Sequence, residues 1–276
     1  MRLLCLTTFF SLLFFQSVFS QKPGIQTPPP QKVVTGIILL NEKKAPDAKT
    51  LLAHLKTTWK LRTDSTSATE KTIVFSTGTE TVMVAYLDYP VNPAEIAAAA
   101  RLSWIWRNAA AEASKHQAQV VISVIGSNAH TLDLYKTFTK VAAGVLEHTT
   151  ASGAYMNSQY LLLPKEFYLT SARNLLKDKN LPVYCWVYMG IMEEATQCSG
   201  YTYGLRDFGL EEMEIVKATG SASEIHAVLF DAATSVIQYD THLQDGQQFT
   251  TIEGSKLNVK KSKAAFIDGE TFKLEF

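Results

Sequence analysis

Residues 201–216 read YTYGLRDFGLEEMEIV, a glycine-punctuated loop running into a short strand, and the reading of this stretch organises the second half of the chain. Over residues 211–216 the alternation is that of a strand. Met213 and Ile215 point to the core, while Glu212, Glu214 and Val216 share the opposite face. Two carboxylates side by side repel each other unless a cation, a proton or Arg206 compensates them. Such a pair suits acid–base work, a cation site or a salt-bridge lock; on a solvated outer face the glutamates would merely alternate with buried residues. Tyr203, Arg206, Glu212 and Glu214 are therefore the candidate binding residues, and none is assigned as catalytic.

Upstream, residues 183–191 (VYCWVYMGI) read as a strand dense in aromatics. It carries Cys185, and Cys198 follows shortly after. In an oxidising compartment the two can close a disulfide, or both stay as unpaired thiols with Cys185 buried in its strand; both readings stand. Downstream, Ser221-Ala222-Ser223-Glu224 is a capping box for a helix to about residue 237. Asp245-Gly246 and Asp268-Gly269 are turn dipeptides, the second joining residues 264–267 to 271–276 as a terminal hairpin.

The pattern GLRDFG followed by EEMEIV, then the capped helix and Leu243-Gln244-Asp245-Gly246, resembles the C-terminal part of a bacterial family known only as domain of unknown function 4261. The resemblance runs from about Tyr203 to the C-terminus. It implies a bacterial α+β fold and lends no activity.

The first half supplies the topology. Residues 33–40 (VVTGIILL) have strand length, and Asp47 caps a helix to about residue 60 with Leu51, Leu52, Leu55 and Trp59 on one face. Residues 72–76 and 81–87 read as a hairpin. Asn92-Pro93-Ala94-Glu95 opens an alanine-rich helix to about residue 116, on which Trp104 and Trp106 lie about 200° apart, so that both cannot face the sheet. Residues 119–125 (QVVISVI) form a buried strand. The order is βαββαβ, which matches a ferredoxin-like, split βαβ unit. Ile125-Gly126-Ser127-Asn128 then leads into a helix to about His148, followed by a looser aromatic segment and a helix from Pro164 to about residue 179. The fold class expected is α+β: that unit extended by further strands and helices into a mixed, largely antiparallel sheet over residues 33–276, with 33–126 and 127–276 as its two halves.

Composition narrows the function classes. The 26 basic and 26 acidic side chains cancel, so no charge footprint points to nucleic acid or to an anionic membrane surface. There is no HExxH, CxxC pair, P-loop, GxGxxG or GxSxG, and the six histidines are scattered; no metal or cofactor is expected, and each histidine reads as a surface or helix-terminal residue. Residues 1–20 read as a secretory signal, with Arg2, an apolar run and small residues before Gln21. Residues 21–32 (QKPGIQTPPPQK) read as a Pro-rich linker, and no later segment is apolar enough to span a bilayer. The expectation is a secreted or periplasmic binding or interaction domain for a protein or small-molecule ligand. The alternative is a hydrolase-type enzyme using the paired glutamates as base and Arg206 for an anionic substrate.

Overall fold

The computed structural model describes residues 31–127, 129–177 and 180–275. The signal and most of the linker lie outside these, and Gln31 and Lys32 open the first strand, β1 (Gln31–Leu40). It feeds α1 (Ala48–Thr57), capped by Asp47, whose carboxylate accepts from the Thr50 amide at 2.8 Å. Leu51, Leu55 and Trp59 are buried, but the helix stops short because Lys60 turns left-handed at φ 53°. An exposed strand, β2 (Asp64–Ala68), precedes the expected hairpin of β3 (Thr72–Thr77) and β4 (Glu80–Leu87). Nothing in its polar sequence, DSTSA, marks it as a strand.

The long alanine-rich helix is broken. Its start is as read, with the Asn92 side chain accepting from the Ala94 amide and Pro93 in the first turn. It ends as α2 (Pro93–Leu102), and a short α3 (Ala109–Ala113) follows. Trp104 and Trp106 therefore sit in the break: Trp104 is 50% exposed, whereas Trp106 is 5% exposed and packs with Leu39, Ile96, Tyr155 and Leu162. Ser103 Oγ donates to the Leu162 carbonyl at 2.7 Å and pins the turn. Burying one large side chain is worth roughly 2–3 kcal/mol, more than the few tenths per residue gained by continuing an alanine helix.

β5 (Ala118–Ser127) leads to α4 (Thr131–Glu147). Where a loose aromatic segment was expected there is a hairpin of β6 (Ala151–Met156) and β7 (Leu161–Pro164), followed by α5 (Lys165–Ala172). Val183–Cys185 is a 3-10 turn, so the aromatic strand is only β8 (Tyr188–Glu193). Then come β9 (Cys198–Tyr203), β10 (Met213–Ala218) and α6 (Ala222–Tyr239), which opens on the predicted capping box of Ser221 and Glu224. The chain closes with β11 (Gln248–Thr250), β12 (Lys256–Lys263) and β13 (Glu270–Glu275). The terminal hairpin thus uses β12, not residues 264–267, because the Ala265 and Phe266 amides donate to the Glu214 carboxylate instead of to a ladder.

The fold is α+β with largely antiparallel pairing, built as two sheets. The first has the order β2-β3-β4-β5-β1-β6-β7, the second β11-β12-β13-β10-β9-β8. β10 and β13 pair in parallel, while every pairing in the first sheet is antiparallel. The split βαβ interleaving is not formed. β5 sits between β4 and β1 and is antiparallel to both, which leaves β1 and β3 antiparallel with two strands between them. β5 is almost continuously buried, the pattern of a strand covered on both faces, and such a strand belongs at the centre. One buried cluster runs from Val34, Ile38 and Phe75 of the first sheet through Phe138 of α4 and Trp186 to Met213, Leu229 and Leu274 around the second. Among the described residues no helix is long and apolar enough to cross a membrane.

Candidate functional site

Gly204 at φ 127° and Gly209 at φ 77° bracket a 3-10 turn, Leu205–Phe208, between β9 and β10. Both angles favour glycine. At 204 a Cβ would also come within 2.9 Å of the Trp186 carbonyl. The turn carries Leu205 into the core and leaves Arg206 and Asp207 outside.

The two glutamates do not lie on a solvated face. Glu212 is 1% and Glu214 0% exposed, and each is satisfied separately inside the protein. Glu212 Oε1 accepts from the Gly204 amide at 2.8 Å and from the Arg206 amide at 3.3 Å, and its Oε2 accepts from Thr202 Oγ1 at 2.8 Å. It is the acceptor that folds the loop back on its own strand. Burial pushes its carboxyl above the usual range, against the opposing pull of those three donors and the Arg206 charge. Glu214 accepts from the Ala265 and Phe266 amides at 2.9 and 3.1 Å and pairs with Lys273 Nζ at 2.7 Å. Burial again opposes ionisation, but the Lys273 bond, the two amides and the Lys273 charge outweigh it and hold this carboxyl below the usual range. The cation that compensates is Lys273, not Arg206. The Arg206 guanidinium donates to the main-chain carbonyls of Asp268 at 2.8 Å and Glu270 at 3.4 Å, fastening the loop to the β12–β13 turn. Tyr203, at the end of β9, pairs across to Tyr188 and joins neither glutamate.

What the loop presents is a cleft of about 390 Å³ whose wall includes Arg206, Asp207, Phe208 and Gly209. The opposite wall comes from the first sheet and α4, with Lys32, Val33 and Val34 of β1, Thr131, Leu134 and Tyr135 of α4, and Ser158. That volume falls in the range of roughly 300–1,000 Å³ common to small-ligand sites. Tyr135 is the joint between the walls. Its ring stacks on Phe208 with centroids 4.4 Å apart, and its hydroxyl donates to Asp207 Oδ2 at 2.7 Å. Gln159 Nε2 donates to the same Asp207 oxygen. Burial, then the Asp207 charge, push the Tyr135 phenol far above its usual range, so it stays a donor. Lys32 Nζ donates to Thr131 Oγ1 at 3.0 Å on the rim.

Residues 201–275 match a domain of unknown function, DUF4261. The DUF4261 segment thus includes the loop, both glutamates and Lys273, while Lys32, Thr131, Tyr135 and Ser158 of the cleft lie outside it. No curated protein and no solved structure matches the chain.

Of the four candidates, only Arg206 lines the cleft; Glu212 holds the loop through the Gly204 and Arg206 amides, and Glu214 is tied to Ala265, Phe266 and Lys273. Asp207 and Phe208 belong to the quoted stretch but gave no signal of their own, since their partners Tyr135 and Gln159 are 72 and 48 residues away. Lys32 was hidden by its place at the end of a Pro-rich run. Cys185 and Cys198 are both buried free thiols, and burial raises the pKa of each. His116, read as a surface or helix-terminal residue, lies just past the end of α3 and is buried, with Nε2 accepting from the Val91 amide at 2.8 Å and Nδ1 facing the Ala113 carbonyl. Among the described residues no cluster of histidine, cysteine or carboxylate side chains is placed to hold a metal ion.

Proposed function

We propose that this protein is a secreted or periplasmic binding domain that receives its ligand in the cleft between the DUF4261 loop and the β1–α4 wall. One observation carries the reading. The glutamates that could have served acid–base chemistry are buried and matched by internal donors, while the loop tied down by Glu212 contributes charged and aromatic groups to an open cleft whose hydroxyls come from Thr131, Tyr135 and Ser158. A preformed concave surface with a few polar groups on a fixed frame is what a binding site needs. The depression of about 440 Å³ beside Ile215 and Lys273 is a weaker candidate, because Lys273, one of the two lysines in its lining, is committed to Glu214. The location rests on residues 1–20, read as a signal; a mature chain beginning at Gln21 is the expected outcome of N-terminal sequencing after export.

The test of the binding reading is amide NMR of the ¹⁵N-labelled protein against a panel of small polar compounds. Shifts should gather at Arg206, Asp207, Phe208, Tyr135 and Thr131. Loss of a hydrolytic activity in a folded Glu212→Gln or Glu214→Gln protein would overturn the reading in favour of an enzyme.

A further inference from the structure

We infer that the cleft is selective for an anion, a carboxylate or a phosphate joined to a flat apolar group. The inference rests on the binding reading above and names its ligand class. The charged side chains lining the cleft are Lys32, Arg206 and Asp207. The carboxylate is already engaged, since Tyr135 and Gln159 both donate to its Oδ2. The two cations outnumber this one carboxylate and are not paired with it. Lys32 Nζ donates to a hydroxyl, and Arg206 donates through Nη2 to two main-chain carbonyls, so among the described residues neither forms an ion pair with a carboxylate. An ammonium has three donors and a guanidinium five. These contacts therefore leave N–H groups of both cations for a ligand oxygen, and the Thr131 and Ser158 hydroxyls lie in the same lining. Charge-assisted bonds of this kind are about twice as strong as neutral ones. The Arg206 contacts to the β12–β13 turn hold its fork in place before a ligand arrives. Phe208, half-buried and stacked on Tyr135, supplies the apolar wall on which a ring can lie.

Phenyl phosphate, benzoate, benzyl alcohol and benzylamine, each titrated alone into the protein at neutral pH and followed by the amides of residues 206–209, separate the outcomes. Phenyl phosphate and benzoate should both bind, with the neutral and cationic compounds weaker by about ten-fold or more, the scale of one lost charged hydrogen bond. Comparing the first two tells which acid group fits better. Lys32→Gln should weaken both anions by about ten-fold while leaving thermal unfolding unchanged, because Lys32 is exposed at the start of β1. Arg206→Gln should weaken them further, but it also releases the loop, so Lys32→Gln is the deciding variant. Equal binding of benzyl alcohol, or Lys32→Gln without effect on a bound anion, overturns the anion inference and leaves the binding reading standing. No shift with any of the four overturns the anion inference, and the broader panel of polar compounds decides the binding reading.

Discussion

Glu212 and Glu214 sit two positions apart, are equally buried, and do different things. Glu214 faces a cation, and removing its charge leaves Lys273, whose side chain is only 14% exposed, without a counter-charge and bonded to the neutral Lys263 carbonyl and Thr271 hydroxyl. Glu214→Gln should therefore cost about 3 kcal/mol in denaturant unfolding. The hydrogen-bond donors to Glu212 are all neutral, and an amide oxygen can still accept from the Gly204 and Arg206 amides. Glu212→Gln should cost under about 1 kcal/mol, whereas Glu212→Ala, which strands three donors, should cost about 3 kcal/mol. The pH dependences run in opposite senses. The lowered carboxyl of Glu214 contributes stability above the unfolded-state value, and this is lost as pH falls through the folded value. The raised carboxyl of Glu212 contributes stability below the unfolded-state value that is lost as pH rises through the folded one. Melting temperatures across pH ~4 to ~7 should thus show Glu212→Gln gaining on the wild type as pH rises. A constant gap between the two would show that Glu212 titrates as in the unfolded chain.

At the scale of elements, the most informative feature is the break between α2 and α3. The strand β6 makes room for the buried indole: a Cβ on Gly153 would lie 2.7 Å from the Trp106 ring and 2.2 Å from the Leu163 carbonyl. Trp106 Nε1 donates to Glu112 Oε2 at 2.7 Å, tying the break to α3. Gly153→Ala should then cost about 2–3 kcal/mol by overpacking, measured by urea unfolding, and should shift the Trp106 fluorescence. The sequence announced the start of this helix through Asn92 and Pro93. It could not announce the break, because no proline or glycine marks residues 103–108 and the glycine that matters is on another strand. In the same way the capping box of Ser221 and the hairpin turn at Gly78 were legible, being local hydrogen-bond chemistry. The pairing of β5 with both β4 and β1 was not, being a choice among strands of similar apolar content.

Taken whole, the molecule is two sheets whose buried side chains form one large cluster, with Trp186 and Phe138 among the residues in it. Trp186 Nε1 donates to Thr139 Oγ1 of α4 at 2.8 Å, and Tyr135 of the same helix reaches Asp207. The second sheet thus leans on α4 through both apolar and polar contacts. The two sheets should unfold in a single transition, with far-UV circular dichroism and tryptophan fluorescence giving one midpoint. The DUF4261 segment expressed alone as residues 201–275 should stay unfolded, since it lacks β8, Trp186 and the α4 wall; a dispersed amide spectrum from that fragment would refute this.

By itself the sequence determined the local chemistry: the caps, the turns, the α+β content, the alternation that puts Met213 and Ile215 inward, and the loop that marks the DUF4261 segment. These follow from backbone geometry and side-chain polarity within a few residues. Tertiary structure alone decided that Glu214 is buried, because burial depends on what covers a strand face, and its partners Ala265 and Lys273 lie on a distant hairpin. It likewise decided that the loop at 204–209 faces Lys32, Thr131 and Tyr135 across a cleft. Those groups come from separate elements, and only packing sets the distances between them.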